Sequence, residues 1–334
     1  MNSDRINLSH GSGGRLMADL ISGLFLKKFN CKTLDKLDDA ARLNIGSGKI
    51  AFTTDSYTVK PLFFPGGDIG KLAVCGTAND LAVMGARPMA ISVSFIIEDG
   101  FLIDTLTKIV NSIAKTAKEN KIDIVTGDMK VVGKGEADGI FINTSGIGVI
   151  QGKMNVSCRD VKVGDLVVVS GEIAEHGIAI LNSRENLGLK PDIKSDVASV
   201  YPLVKNCLSL SKYIHAMRDP TRGGMISVLN EIAKASRVGI KIFEKNLPVK
   251  KQIAAACEIL GLDALNIANE GKVVFFVNPK GVKNVLYKLQ NTTLGRKATI
   301  IGEVIKEKHV FLETKLGTKR LLPLLEGEAL PRIC

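Results

Sequence analysis

Gly66-Gly67-Asp68-Ile69-Gly70-Lys71-Leu72-Ala73-Val74-Cys75-Gly76-Thr77-Ala78-Asn79-Asp80-Leu81-Ala82-Val83-Met84-Gly85-Ala86-Arg87-Pro88 is the stretch that decides the fold. From Gly70 to Met84, Leu72, Val74, Cys75, Ala78, Leu81 and Ala82 recur at helical spacing. Asp80 lies inside that apolar run, where a carboxylate is costly unless it is paired or bound to a metal. Pro65 to Asp68 precede the helix, and their glycines let the backbone turn its N–H groups toward an anion. Pro88 to Ile97 follows as a β-rich run.

Outward from this stretch, strands and helices alternate. Lys49–Thr54 and Ile122–Thr126 read as strands, and Gly139–Ile150 alternates in the same way. Leu102–Asn120 reads as an amphipathic helix entered through Asp104 as cap. The periodicity breaks over Gln151–Val163, which predicts a domain boundary. Beyond it, helices are expected at Ala174–Asn182, Tyr201–Tyr213, Gly223–Ala235, Val249–Leu260 and Lys280–Leu289. Strands are expected at Leu166–Ser170, Val238–Ile242, Lys272–Val277 and Ala298–Val304. The pattern is that of two α+β domains, each a sheet with helices.

A chain of 334 residues exceeds one ordinary core, which also argues for two domains. No apolar run approaches the ~20 residues of a membrane span. The polar start, Met1-Asn2-Ser3-Asp4-Arg5, is unlike a secretory leader, so a cytoplasmic protein is expected, with no membrane partner. The net charge of +11 is spread over scattered lysines, Trp is absent and aromatics are 5%, so no nucleic-acid partner is expected. None of the six cysteines is in a C-x-x-C pair. Cys75, Cys207 and Cys257 fall in apolar helical patterns and read as core residues. Cys31 and Cys158 carry no signal. Cys334, at the end of Pro331-Arg332-Ile333-Cys334, is the one cysteine placed for exposure, and its thiolate is nucleophilic enough to carry an acyl group.

Carboxylates gather where elements meet turns: Asp38-Asp39, Asp55, Asp80, Asp128 and Asp219. Oxygen ligands spread over several segments suit Mg²⁺ holding phosphates. His10-Gly11-Ser12-Gly13-Gly14-Arg15 and Arg222-Gly223-Gly224 are further anion-binding candidates, the second as the opening of a helix. Neither a P-loop nor a Rossmann fingerprint is present.

The order Asp38-Asp39-Ala40-Ala41, Thr53-Thr54-Asp55-Ser56, Gly66 to Pro88, Thr126-Gly127-Asp128-Met129-Lys130, Arg218 to Gly224 and Asn269-Glu270-Gly271 resembles the PurM-type ATP-binding superfamily. His10 to Gly14, Asp55 to Lys71 and the terminal Pro331-Arg332-Ile333-Cys334 are similar to the HypE (carbamoyl dehydratase) family of hydrogenase maturation factors. The resemblance implies a PurM-like two-domain architecture, with the N-terminal sheets of a homodimer forming a shared barrel and a C-terminal mixed sheet with helices. It divides the chain into an appendage (1–42) that packs with the tail, an ATP-binding and dimerisation domain (43–155), a C-terminal domain (156–320) and a mobile tail (321–334). It implies ATP and Mg²⁺ as cofactors, the carbamoyltransferase HypF as donor and the HypC–HypD complex as cyanide acceptor.

By the same resemblance, Cys334 carries a carbamoyl group that ATP-driven dehydration turns into a thiocyanate. Asp55, Asp80 and Asp219 are the expected metal ligands. Asp39, Asp55, Asp80, Asp128, Gly66, Gly67, Asp68 and Asn79 are expected around the nucleotide. Lys130 is expected to stabilise developing negative charge, and Glu270 to take a proton. From the tail sequence itself, Arg332 favours the Cys334 thiolate and the adjacent α-carboxylate opposes it, so activation of the thiol is expected from the transferase or the dehydratase site rather than from the tail. The alternative within the fold is a small-molecule kinase or synthetase of the thiamin-monophosphate kinase or selenophosphate synthetase type. That alternative gives Cys334 no role, and a selenophosphate synthetase would carry its reactive cysteine or selenocysteine in the glycine-rich N-terminal segment, where this chain has none.

Overall fold

The computed structural model describes residues 14–29, 34–46, 48–189, 193–325, 327, 330 and 332–334. The expected glycine turn at His10 to Gly13, Cys31 and Pro331 lie outside the described residues. Two short helices come first, α1 (Arg15–Leu20) and α2 (Leu26–Phe29), joined by a π-helical turn over Ile21–Phe25. β1 (Ala41–Ile45) and β2 (Gly48–Tyr57) then form an antiparallel hairpin, with Gly46 at φ +54° making the reversal. After the two-residue strands β3 (Phe63–Phe64) and β4 (Gly67–Asp68) comes α3 (Ile69–Val83). β5 (Ala86–Glu98), α4 (Ile103–Asn120), β6 (Asp123–Val132) and β7 (Ile140–Ile150) complete the first unit.

α3 is apolar on every side, and thirteen of its fifteen residues are buried, as such a helix must be. Asp68 caps it: its Oδ1 accepts the N–H of Gly70 at 2.8 Å and that of Lys71 at 3.1 Å. The helix lies on one face of a five-stranded sheet in the order β1-β2-β7-β5-β6, where only β5 and β6 run parallel, through the crossover helix α4. Along β2, Ala51, Thr53 and Tyr57 point to this buried face and Phe52 and Thr54 point away from it.

The second unit follows as β8 (Leu166–Val169), α5 (Glu175–Glu185), α6 (Tyr201–Cys207), β9 (Ile214–Arg218), α7 (Gly224–Ser236) and β10 (Gly239–Phe243). Then come α8 (Lys251–Leu260), β11 (Val274–Val277), α9 (Pro279–Gln290), β12 (Thr299–Ile305), β13 (Val310–Glu313) and β14 (Lys319–Leu321). Seven strands form a mixed sheet in the order β14-β13-β10-β12-β8-β11-β9. Two α+β units with separate sheets are therefore present, as expected.

Several local expectations change. The cap of α4 is Leu102 without a side-chain bond, and Asp104 sits inside the first turn, where it favours the helix dipole instead. β6 continues to Val132, so Asp128 and Lys130 are strand residues rather than part of a turn after Thr126. Parallel pairing with β5 carries the strand past Gly127, whose missing side chain leaves room for the Val93 carbonyl. The α-helix expected over Tyr201–Tyr213 is α only to Cys207 and continues as a 3₁₀ helix. β1, β9, β13 and β14 are short strands that the periodicity did not reveal.

Asn79 ties the two units together. From α3 its Nδ2 donates to the carbonyls of Ala198 (3.1 Å) and Glu270 (3.2 Å), and its Oδ1 accepts the Val200 N–H (2.8 Å). The side chain is buried, so these backbone groups have no water to turn to. Asn79→Ala leaves the Ala198 carbonyl and the Val200 N–H unpaired, while the Glu270 carbonyl keeps the Ala198 N–H. The substitution is expected to cost about 2–3 kcal/mol, read as a lower urea midpoint.

Candidate active site

Five segments bring five carboxyl groups together. Asp39 precedes β1, Asp55 is on β2, Asp80 on α3, Asp219 follows β9 and Glu270 precedes β11. One carboxylate oxygen each from Asp39, Asp80 and Asp219 lies within 4.8 Å of the others. The Thr53 hydroxyl sits 2.8 Å from Asp80 Oδ2 and 3.1 Å from the Asp39 carbonyl, which locks the hairpin against α3. Asp55 lies two residues further along the same face of β2, with Oδ1 3.9 Å from Arg222 Nη2. The tight trio is thus Asp39, Asp80 and Asp219, with Asp55 beside it.

Charge in this pocket is unbalanced. Burial, then Asp219, Asp55 and Asp39, hold the Asp80 carboxyl well above the usual range. Burial pushes Asp39 up as well, against the opposing pull of Arg218. Asp219 is pushed up to about 6, again by burial against Arg218. Glu270 is 2% exposed and is raised well above the carboxylate range by burial, then by Asp219, Asp196 and Asp55. Two guanidiniums face these acids. Arg218 Nε lies 2.9 Å from Asp39 Oδ1 and its Nη2 2.7 Å from Glu231 Oε2, while Arg222 faces Asp55.

Asp39 Oδ2 and Glu270 Oε1 are buried without a hydrogen-bond partner. Orphaned carboxylate oxygens in a pocket with excess negative charge fit a hard divalent cation, and an all-oxygen donor set suits Mg²⁺. Asp39, Asp80 and Asp219 are the residues that could hold it.

The end of the chain is docked beside this pocket. The Thr58 N–H donates to the Cys334 carbonyl (3.0 Å), and the Lys60 N–H donates to the Arg332 carbonyl (3.3 Å), in antiparallel register. Arg332 Nε returns a bond to the Thr58 carbonyl at 2.8 Å. The Arg332 guanidinium also pairs with Asp138, which Lys60 shares at 3.0 Å. The Ile333 side chain is buried in the core of the first unit, and its carbonyl lies 2.9 Å from His176 Nε2.

Arg332 is therefore engaged by Asp138, and the cation that faces Cys334 is Arg222, whose charge is favoured first by Cys334 and then by Asp55 and Glu270. Cys334 is partly exposed, whereas Cys75, Cys158 and Cys207 are pushed up to about 12 by burial and Cys257 to about 11.

Other expected residues lie apart. Asp128 and Lys130 register with Ser94 and Ile96 of β5, on the face of the sheet away from α3, and they pair with each other at 3.2 Å. The acids sit on the opposite face, so a single chain does not bring the two groups together. A Cβ on Gly66 would fall 2.6 Å from the Ser195 carbonyl and one on Gly67 2.6 Å from Val197, so both glycines serve close packing. The Asp68 carboxylate caps α3, and Asn79 has all its donors engaged by backbone. Sequence reasoning gave Arg218 and His176 no specific role. The two arginines flanking Asp219-Pro220-Thr221 were a signal for the first. Nothing local marks the second, whose partner is 157 residues away.

Family models describe the same division: residues 37–150 match the AIR synthase related protein N-terminal domain and residues 162–315 its C-terminal domain. The carbamoyl dehydratase HypE of Bradyrhizobium diazoefficiens is 47% identical, covering 98% of this chain and 96% of that protein. HypE of Escherichia coli K12 is 46% identical over 99% of this chain and the whole of its relative. A HypE–HypF complex superposes with a TM-score of 0.88 at 48% identity, over 92% of this chain and 99% of that one. HypE in complex with ATP does so at 0.83 and 43%, over 99% and 100%. A thiamine monophosphate kinase from Aquifex aeolicus, at 20% identity and a TM-score of 0.69 over 92% of this chain and 99% of that one, shares the fold alone. With close relatives matched end to end and a fold divided at the same point, the chain belongs to the AIR synthase-related proteins and, among them, to the HypE carbamoyl dehydratase family.

Proposed function

We propose that this protein dehydrates a carbamoyl group carried on Cys334 at the expense of ATP, leaving a thiocyanate for hydrogenase maturation in the cytoplasm. The observation that carries the reading is the chain end itself: Thr58, Lys60 and His176 hold its backbone beside a pocket of five acids and Arg222. A kinase of this fold would have no use for that arrangement. HypF, seen with a relative, is the proposed carbamoyl donor, and a HypC–HypD complex the acceptor of the cyanide.

In the proposed reaction the carbamoyl oxygen bonds to the terminal phosphorus of ATP, and ADP leaves. Loss of two N–H protons and cleavage of the C–O bond then release phosphate and leave S–C≡N. Phosphoryl transfer of this kind depends on positioning and charge stabilisation. Asp39, Asp80 and Asp219 would hold Mg²⁺, with Asp55 alongside, and the metal would offset the phosphate charge. Glu270 is raised by burial and near neighbours, which brings its carboxylate closer in basicity to the proton it must accept. Arg222, at the mouth of α7, supplies positive charge beside Cys334. Gly66, Gly67, Asp68 and Asn79 support the nucleotide indirectly, by fixing α3 and the strand before it.

A homodimer completes the proposal. The face of the first sheet away from α3 exposes Phe52, Ile96, Ile147 and Val149, and its edge strand β6 exposes Val125, Met129 and Val131. An apolar sheet face and an open edge of this size suit a second copy. Asp128 and Lys130 lie on that face, so the second copy is the proposed route by which they meet a nucleotide.

Intact-mass measurement tests the reaction. With HypF and carbamoyl phosphate the protein should gain a carbamoyl mass, and ATP should then remove one water; Cys334→Ala should show neither step. Asp80→Asn relieves repulsion, so it should raise the melting temperature without metal. The same change should lower the stabilisation given by Mg²⁺ and ATP, which reaches about 2.7 kcal/mol at a hundredfold excess over Kd, and should slow dehydration about a hundredfold or more. Phe52→Glu should convert a dimer into a monomer in light scattering, and an unchanged dimer would remove this face from the interface.

A further inference from the structure

His176 is fully buried at the start of α5, and both of its ring nitrogens are engaged. Nε2 lies 2.9 Å from the Ile333 carbonyl and Nδ1 2.7 Å from Ser195 Oγ. A carbonyl only accepts, so Nε2 carries the proton. Nδ1 then accepts from the Ser195 hydroxyl, whose oxygen accepts the Val197 N–H at 3.1 Å. Every member of this chain has one consistent direction when the imidazole is neutral. Burial, which lowers the affinity of the ring for a second proton, favours that state.

The residue after Ser195 reaches the other side of the pocket. Asp196 Oδ1 accepts the Glu270 N–H (3.1 Å), and its Oδ2 accepts the Gly271 N–H (3.2 Å) and Lys272 Nζ (2.8 Å). The Ala198 N–H donates to the Glu270 carbonyl at 3.3 Å. A Cβ on Gly271 would stand 2.0 Å from the Asp196 carbonyl, so the two backbones are pressed together. The Ser195 N–H donates to the Pro65 carbonyl at 2.8 Å, which fixes the near end of the segment against the entry to α3. One short extended segment thus grips the backbone of the buried acid on one side and, through His176, the backbone of the chain end on the other.

We propose that His176, Ser195 and Asp196 are positioning residues that set the register of Cys334 against Glu270. His176 fixes the carbonyl one residue before the sulfur, and Asp196 fixes the backbone of the acid. Neither touches the reacting atoms. The part of this inference that concerns turnover rests on the proposed dehydration; the part that concerns docking does not.

The test uses the full-length protein and two independent readouts. The first is alkylation of Cys334 by a bulky maleimide, followed by peptide mapping. His176→Ala should raise the Cys334 rate about tenfold, and His176→Gln, whose amide can donate to the same carbonyl, should recover much of the protection. Alkylation at the wild-type rate in His176→Ala would overturn the proposal. So would equal loss of protection in His176→Ala and His176→Gln, since a general loosening of the fold does not distinguish the two. The second readout is single-turnover dehydration of carbamoylated protein. His176→Ala should slow it about tenfold or more at saturating ATP, with ATP affinity unchanged, whereas weaker ATP binding at an unchanged rate would overturn the positioning role. If the wild-type protein shows no dehydration but the labelling pattern holds, the functional reading fails while His176 remains the latch of the chain end.

Discussion

Mutual repulsion among clustered carboxyl groups, buried or half-buried, is the constraint around which this molecule is organised. Asp39, Asp55, Asp80, Asp219 and Glu270 come from five separate segments, and among the described residues two guanidiniums answer them. Low dielectric makes each unpaired charge expensive, so the pocket is stable only with some groups protonated or with added positive charge. The rest of the structure holds the acids together regardless. Thr53 pins the hairpin to α3, Asn79 pins α3 to the second unit, and Asp196 with Lys272 pins the backbone of Glu270. A site that is uncomfortable by itself is ready for a cation and a polyphosphate.

The two arginines around Asp219-Pro220-Thr221 divide the labour. Arg218 is 14% exposed at its side chain and spans Asp39, Glu231 and the Leu37 carbonyl, so it acts as a fixed internal counter-charge. Arg222 is 42% exposed and stands where the chain end arrives. Both belong to one short motif, yet one side chain is committed to the interior and the other remains available at the mouth.

Much of this was legible in the sequence. An apolar helix with one acid inside it had to be buried, and α3 is buried and carries Asp80 into the cluster of acids. Acids at element ends converged because strand ends of two sheets meet there. What escaped was decided by parity and by distance along the chain. Ending β6 at Thr126 left Asp128 and Lys130 in an imagined loop. Continued pairing with β5 puts them instead on the sheet face away from the acids, a difference that a local pattern does not encode. Asp39 displaced Asp55 from the tight trio because a hairpin, set by pairing between Ala41 and Phe52, decides which acid lies under Thr53. His176 and Arg218 each reach at least one partner more than a hundred residues away, where periodicity is silent.

The antiparallel ladder between Thr58–Lys60 and Arg332–Cys334 has a kinetic meaning as well. A cargo covalently attached to a docked strand meets its pocket without diffusion, at a local concentration set by the geometry of the tether rather than by the amount of protein present. Processing on such an arm is first order in the loaded protein, and dilution affects it only through assembly of the proposed dimer. A sparse cellular supply of the enzyme would therefore limit its encounters with other proteins before it limited the step inside the pocket.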